Sequence, residues 1–101
     1  MKSKKDYKVI ISDSAKVDIE ESALWYNHKQ KGLGKRFTQS IKDCIVSIKL
    51  QPESFQIRYK NNRAAIPYKF PYLVIYYIDD NNETISIIAV FHSSQNPKRL
   101  R

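Results

Sequence analysis

The chain has 101 residues, one domain's worth, so a single core must supply all of its stability. With 42% hydrophobic and 28% charged residues, 2 Gly and 4 Pro, it lies outside the disordered and fibrous ranges. Eighteen Lys and Arg against 10 Asp and Glu leave a formal charge of +8, which favours an acidic partner, either nucleic acid or an acidic protein. The single Cys44 excludes an internal disulfide framework. One Cys with His28 and His92 at unrelated spacings makes no zinc site, so neither a metal nor another cofactor is expected. The basic start is followed by only three consecutive apolar residues, Val9 to Ile11, too few for a signal-peptide core or a membrane span. A cytoplasmic protein with no membrane partner is expected.

Along the chain, Tyr7-Lys8-Val9-Ile10-Ile11 reads as a strand, and Ser12-Asp13-Ser14 as a turn able to cap a helix. From Ala15 the apolar residues Ala15, Ile19, Ala23 and Tyr26 recur at helical spacing, while Lys16, Asp18, Glu20, Glu21 and Asn27 point elsewhere. Acids come early in this helix and His28, Lys29 and Lys31 late, which suits its dipole, and Gly32 is placed to end it in a left-handed conformation. Leu33, Phe37, Ile41, Cys44 and Ile48 repeat the spacing in a second helix, which Gln51-Pro52 stops. The two helices form a hairpin.

Phe55 to Tyr59 and Arg63 to Ile66 read as a strand pair turning at Asn61-Asn62. Tyr72 to Ile78 is nearly all apolar, and Asp79-Asp80-Asn81-Asn82 turns into Thr84 to His92. There Ile85, Ile87, Ala89 and Phe91 alternate with Thr84, Ser86, Ile88, Val90 and His92, and these last strands should form the sheet centre. The order is βααββββ. It specifies a single α+β domain over residues 1–101, with the helical hairpin packed on one face of a mainly antiparallel sheet and the other face left for function.

Several residues together resemble the RelE/ParE superfamily of bacterial toxin-antitoxin toxins over about residues 7–99: Ser12, Ala15 and Asp18; Trp25-Tyr26; Gly32-Leu33-Gly34 leading to Phe37; Pro52; Arg63; Lys69-Phe70-Pro71-Tyr72 with Tyr76; and Val90-Phe91-His92 with Pro97. The Phe-Pro-Tyr segment and the ending look more like the ParE-type plasmid stabilisation members than the ribosome-dependent nucleases. The resemblance implies a small growth-inhibiting toxin neutralised by a cognate antitoxin whose C-terminal segment wraps the sheet and helices. It implies either of two targets, DNA gyrase in the ParE branch or the translating ribosome, with mRNA cut in the decoding site, in the RelE branch. A third possibility is a non-toxic antitoxin-binding co-repressor, in contact with operator DNA only through the antitoxin complex.

No acid stands between Glu53 and Asp79, and there Arg58, Lys60, Arg63 and Lys69 interleave with Tyr59, Tyr68, Phe70 and Tyr72. Cations that neutralise phosphate and aromatics that stack on bases make such a surface suited to RNA, and an acidic antitoxin segment would choose it as well. The competing reading is a solvated strand edge with core aromatics. For a nuclease, Lys60 or Lys69 is the candidate base, Arg63 the phosphate clamp and His92 the acid. Ser93-Ser94-Gln95 stands where nuclease relatives commonly have an aromatic or Arg. Asp79, Asp80 and Glu83 lie in or beside a turn, which leaves no carboxylate base in the last strands. For target or antitoxin binding the candidates are Trp25, off the apolar stripe of the first helix, Arg58, Tyr59, Phe70 and Tyr72, and, in the ParE-like reading, Lys98 and Arg99 of the basic tail.

Overall fold

The computed structural model describes residues 6–95. The elements follow the expected order: β1 (Lys8–Ile11), α1 (Asp13–Lys29), α2 (Leu33–Leu50), a 3-10 turn at Pro52–Ser54, β2 (Gln56–Ile57), β3 (Arg63–Ala65), β4 (Tyr72–Asp79) and β5 (Thr84–His92). They build one mixed five-stranded sheet in the order β1-β5-β4-β3-β2. β1 runs parallel to β5, and the remaining neighbours are antiparallel.

Ser12 opens α1 as expected: its backbone is extended and its Oγ accepts the Ala15 N–H at 3.1 Å. This satisfies one of the donors a helix start leaves open. Ala15 is fully buried, and Ile19, Ala23 and Tyr26 pack against the core, so the stripe read from the sequence is the buried one. Gly32 has a left-handed φ of 87°, but it does not end α1. Gln30 closes that helix through its N–H to the Tyr26 carbonyl. Gly32 stands instead at the N-cap of α2, its N–H donating to Asn27 Oδ1 at 2.9 Å. A left-handed glycine is the usual mark of a helix C-terminus, which is why the spacing alone misplaced it. Two residues later the helices meet most closely, since a Cβ on Gly34 would lie 2.3 Å from the Ala23 carbonyl oxygen. Phe37, Ile41, Cys44 and Ile48 of α2 are buried against the sheet.

β2 and β3 are shorter than the sequence suggests, and the reversal between them falls at Tyr59 and Lys60, with φ of 52° and 68°, rather than at Asn61-Asn62. The pairing of Ile57 with Arg63 fixes a five-residue connection, 58–62, whose middle must turn, and Asn62 braces it through Nδ2 to the Tyr59 carbonyl at 3.1 Å.

β5 also departs from strict alternation. Ile75 faces Ala89 but Tyr76 faces Ile87, so Ile88 is an extra residue forming a β-bulge. Ile85, Ile87 and Val90 therefore face the helices, whereas Ala89 and Phe91 join Ala64, Leu73 and Ile75 on the opposite face. Asp18 of α1 secures the shifted segment by accepting the Val90 N–H at 2.9 Å. The bulge puts His92 on the helix side of the sheet, paired with Tyr72. The face opposite the helices is not bare either. Tyr59 and Ile88 pack on its small apolar cluster.

Candidate functional site

Pro67 lacks the N–H that a strand needs, so β3 stops short of it and the chain crosses toward α2 before β4 begins. Ser40 on α2 fastens this crossing by donating from Oγ to the Tyr68 carbonyl at 2.7 Å. Lys69 then takes a left-handed φ of 67°, and the Pro71 carbonyl accepts the Ser93 N–H at 2.7 Å. Between α2 and this connection lies a groove lined by apolar Tyr26, Leu33, Phe70 and Pro71, by the cations Arg36 and Lys69, and by Asp43, whose Oδ1 accepts from Gln39 Nε2 at 3.0 Å. Two apolar side chains of the same connection stand out into solvent, Ile66 at 70% and Tyr68 at 76% exposure.

Tyr26 is the hub of the apolar lining. Its ring stacks on Phe37 at 5.3 Å between centroids, meets Phe70 edge-on at 5.1 Å and lies 6.0 Å from Tyr72. Burial, with the neighbouring Tyr72 hydroxyl, pushes the Tyr26 phenol above its ordinary pKa. The string continues outward in both directions, to Trp25 at 5.0 Å from Tyr26 and to His92 at 5.5 Å from Tyr72. The Lys29 ammonium covers the half-exposed Trp25 indole, 5.0 Å from the ring centroid, while the Lys69 ammonium lies 5.4 Å from the centre of the Tyr68 ring. Four residues singled out from sequence, Trp25, Phe70, Tyr72 and His92, thus belong to one aromatic assembly.

His92 has one ring nitrogen engaged. Nδ1 accepts the Ser94 N–H at 3.1 Å and lies 2.7 Å from Ser94 Oγ, so in the neutral ring the proton sits on Nε2. Arg63 is occupied elsewhere. Its Nη1 donates to the carbonyls of Glu53 and Phe55 at 3.2 and 2.7 Å, tying β3 to the 3-10 turn. Beside it Tyr76 donates to the Pro52 carbonyl at 2.5 Å, and burial raises this phenol to about 12 despite the opposing pull of the Arg63 charge. Arg63 pairs with Tyr76 and His92 with Tyr72, four residues apart on β4, which offsets them by about 13 Å along the strands, and β4 lies between them.

Arg58, Tyr59 and Lys60 lie in the β2–β3 turn, where Arg58 approaches the Tyr59 ring at 5.7 Å and Tyr59 meets Phe91 on the far sheet face at 5.9 Å. They are not part of the groove. Lys98 and Arg99 fall outside the described residues. Among those described, no three His, Cys, Asp or Glu side chains come together to hold a metal, and no helix is long and apolar enough to cross a membrane.

The sequence pattern of the family described as the ParE toxin of type II toxin-antitoxin systems, parDE, matches residues 9–97. The chain belongs to the ParE toxin family. Among solved structures, this ParE family member is similar to a chain of the chromosomal ParDE toxin-antitoxin system from P. aeruginosa, with a TM-score of 0.74 and 11% identity over 86% of this chain and 96% of that one. It is also similar to a chain of the toxin-antitoxin complex RelBE2 from Mycobacterium tuberculosis, with a TM-score of 0.61 and 18% identity over 86% and 98% of the two chains. At those identities the likeness is one of fold. No curated protein matches significantly.

In this ParE-family chain the sequence reading passed over Arg36 and Ile66 as site residues and took Tyr68 only as one aromatic of the acid-free stretch. Arg36 sits among other helix cations with nothing to mark it. Ile66-Pro67-Tyr68 does carry a signal. A proline between two apolar residues ends the strand and leaves its neighbours without a sheet position to bury them.

Proposed function

We propose that this toxin inhibits growth by engaging DNA gyrase and that a cognate antitoxin neutralises it by seating an acidic, apolar-faced segment in the groove between α2 and the β3–β4 connection. The observation that carries the reading is the match to the ParE family over residues 9–97. The groove supports the antitoxin half. Its apolar lining beside Arg36 and Lys69 suits a segment that presents apolar side chains on one side and carboxylates on the other, and the exposed Ile66 and Tyr68 offer further apolar contact. The nuclease reading has less support, because Arg63 and His92 stand on opposite sides of β4 and four residues apart along it, and the Arg63 guanidinium is already hydrogen-bonded to two carbonyls.

Purified toxin added to gyrase and relaxed plasmid should block supercoiling, and the cognate antitoxin should restore it. Supercoiling that proceeds undiminished at a large excess of toxin would overturn the gyrase assignment. Tyr68→Asp tests the groove separately. It should weaken antitoxin binding by about tenfold or more, as expected for a well-buried aromatic contact, while leaving the thermal unfolding of the toxin unchanged.

A further inference from the structure

The helical hairpin carries a charge pattern of which the groove uses only Arg36. Residues 22–42 contain no acid but include His28, Lys29, Lys31, Lys35, Arg36 and Lys42. The acids of α1, namely Asp13, Asp18, Glu20 and Glu21, all precede this stretch. Gln30–Gly32 joins the helices, and the close approach of Gly34 to Ala23 holds the first turn of α2 against α1, so His28, Lys29, Lys31, Lys35 and Arg36 gather around the hairpin turn, with Lys42 further along α2. Lys29, Lys31, Lys35 and Arg36 are exposed, and none forms an ion pair within the described residues. The first turn of α2 holds no acid, so the helix dipole adds to the positive field.

We infer that the hairpin tip is a docking surface for the phosphate backbone of duplex DNA, contacted by the toxin directly. Its exposed side chains from His28 to Arg36 are polar, so recognition there is electrostatic. Duplex DNA presents the densest regular array of negative charge, about one per 1.7 Å of axis. A single strand that stacks its bases needs an open aromatic face. The indole of Trp25 instead carries the Lys29 ammonium 5.0 Å from its ring centroid. An acidic peptide would gain more in the neighbouring groove, where apolar lining and cations lie together. This inference does not depend on gyrase being the target.

Trp25 is the only tryptophan, so its fluorescence reports on the tip. A phosphate bound at the Lys29 ammonium, 5.0 Å from the indole centroid, changes the electrostatic field at the ring and with it the emission. The experiment titrates the toxin with a duplex of about 20 base pairs and arbitrary sequence at several salt concentrations, and the logarithm of the affinity should fall linearly with that of salt. The triple variant Lys29→Gln, Lys31→Gln, Lys35→Gln should bind about tenfold or more weakly at moderate salt and lose about two to three from the magnitude of the slope, which counts phosphates. A control, Lys8→Gln, Arg58→Gln, Lys60→Gln, removes the same net charge elsewhere and should stay within about twofold of wild type, with anisotropy of a labelled duplex as the common readout. Equal losses in the two variants would overturn the inference by making the binding a property of net charge. Tighter binding of the single strand, equal binding of a polyglutamate of matched charge, or no duplex binding at moderate salt would overturn it too.

Discussion

Arg63 is the residue whose neighbours change its meaning most. In the sequence it is a cation within an acid-free, aromatic-rich stretch and reads as a phosphate clamp. In the folded chain its guanidinium holds the carbonyls of Glu53 and Phe55, and its strand partner Tyr76 holds that of Pro52. Arg63→Ala should therefore lower stability by about 1.5–3 kcal/mol, the range for hydrogen bonds made by a charged group, measured by urea denaturation. His92→Ala should leave the arrest of growth intact when expressed in bacteria without antitoxin. Arrest abolished by this substitution in a folded chain would instead point to chemistry at the ring. Both residues were legible as polar groups in a distinctive stretch. Their separation was not, because it depends on the register of β4 with both of its neighbours.

At the scale of elements, the apolar periodicities of α1 and α2, the helix stop at Pro52 and the apolar β4 run were readable directly, since each is a local pattern that burial enforces. The bulge was not. Ile87-Ile88-Ala89-Val90 is apolar throughout, so nothing in the side chains marks where the alternation slips, and only the pairing of Ile75 with Ala89 and Tyr76 with Ile87 reveals it. The hairpin turn fared similarly, with Gly32 recognised as left-handed but assigned to the wrong helix end. The groove was legible only in part. Phe70 and Tyr72 stood out in sequence, whereas Tyr26 as its hub and Tyr68 in its lining depend on α2 packing across the connection. The hairpin also makes a sharp prediction. Gly34→Ala places a methyl against the Ala23 backbone oxygen, so although alanine is the better helix former, the variant should lose about 1–3 kcal/mol by thermal unfolding.

For the whole molecule, stability should depend on alkaline pH. Burial pushes the Cys44 thiol from 9.0 up to about 11. Burial lifts the Tyr76 phenol from 10.0 to about 12, and the hydrogen bond to Asp80, followed by burial, lifts Tyr7 equally. The folded chain then holds protons that the unfolded chain releases. Stability is fully present below the unfolded values of 9.0 and 10.0 and is lost as pH rises toward the folded values of about 11 and 12. Unfolding by urea at increasing pH should show the decline beginning near pH 9.0, and Cys44→Ala should delay its onset to near pH 10.0. The charge of the whole chain, +8 and concentrated away from the start of α1, suits a molecule that meets anionic partners in more than one place. The most direct test of the central claim is pulse incorporation of labelled thymidine and labelled amino acids within minutes of inducing the toxin alone in bacteria. Engagement of gyrase predicts that thymidine incorporation falls first, with protein synthesis following later. Loss of amino-acid incorporation first, with thymidine uptake still intact, would contradict it.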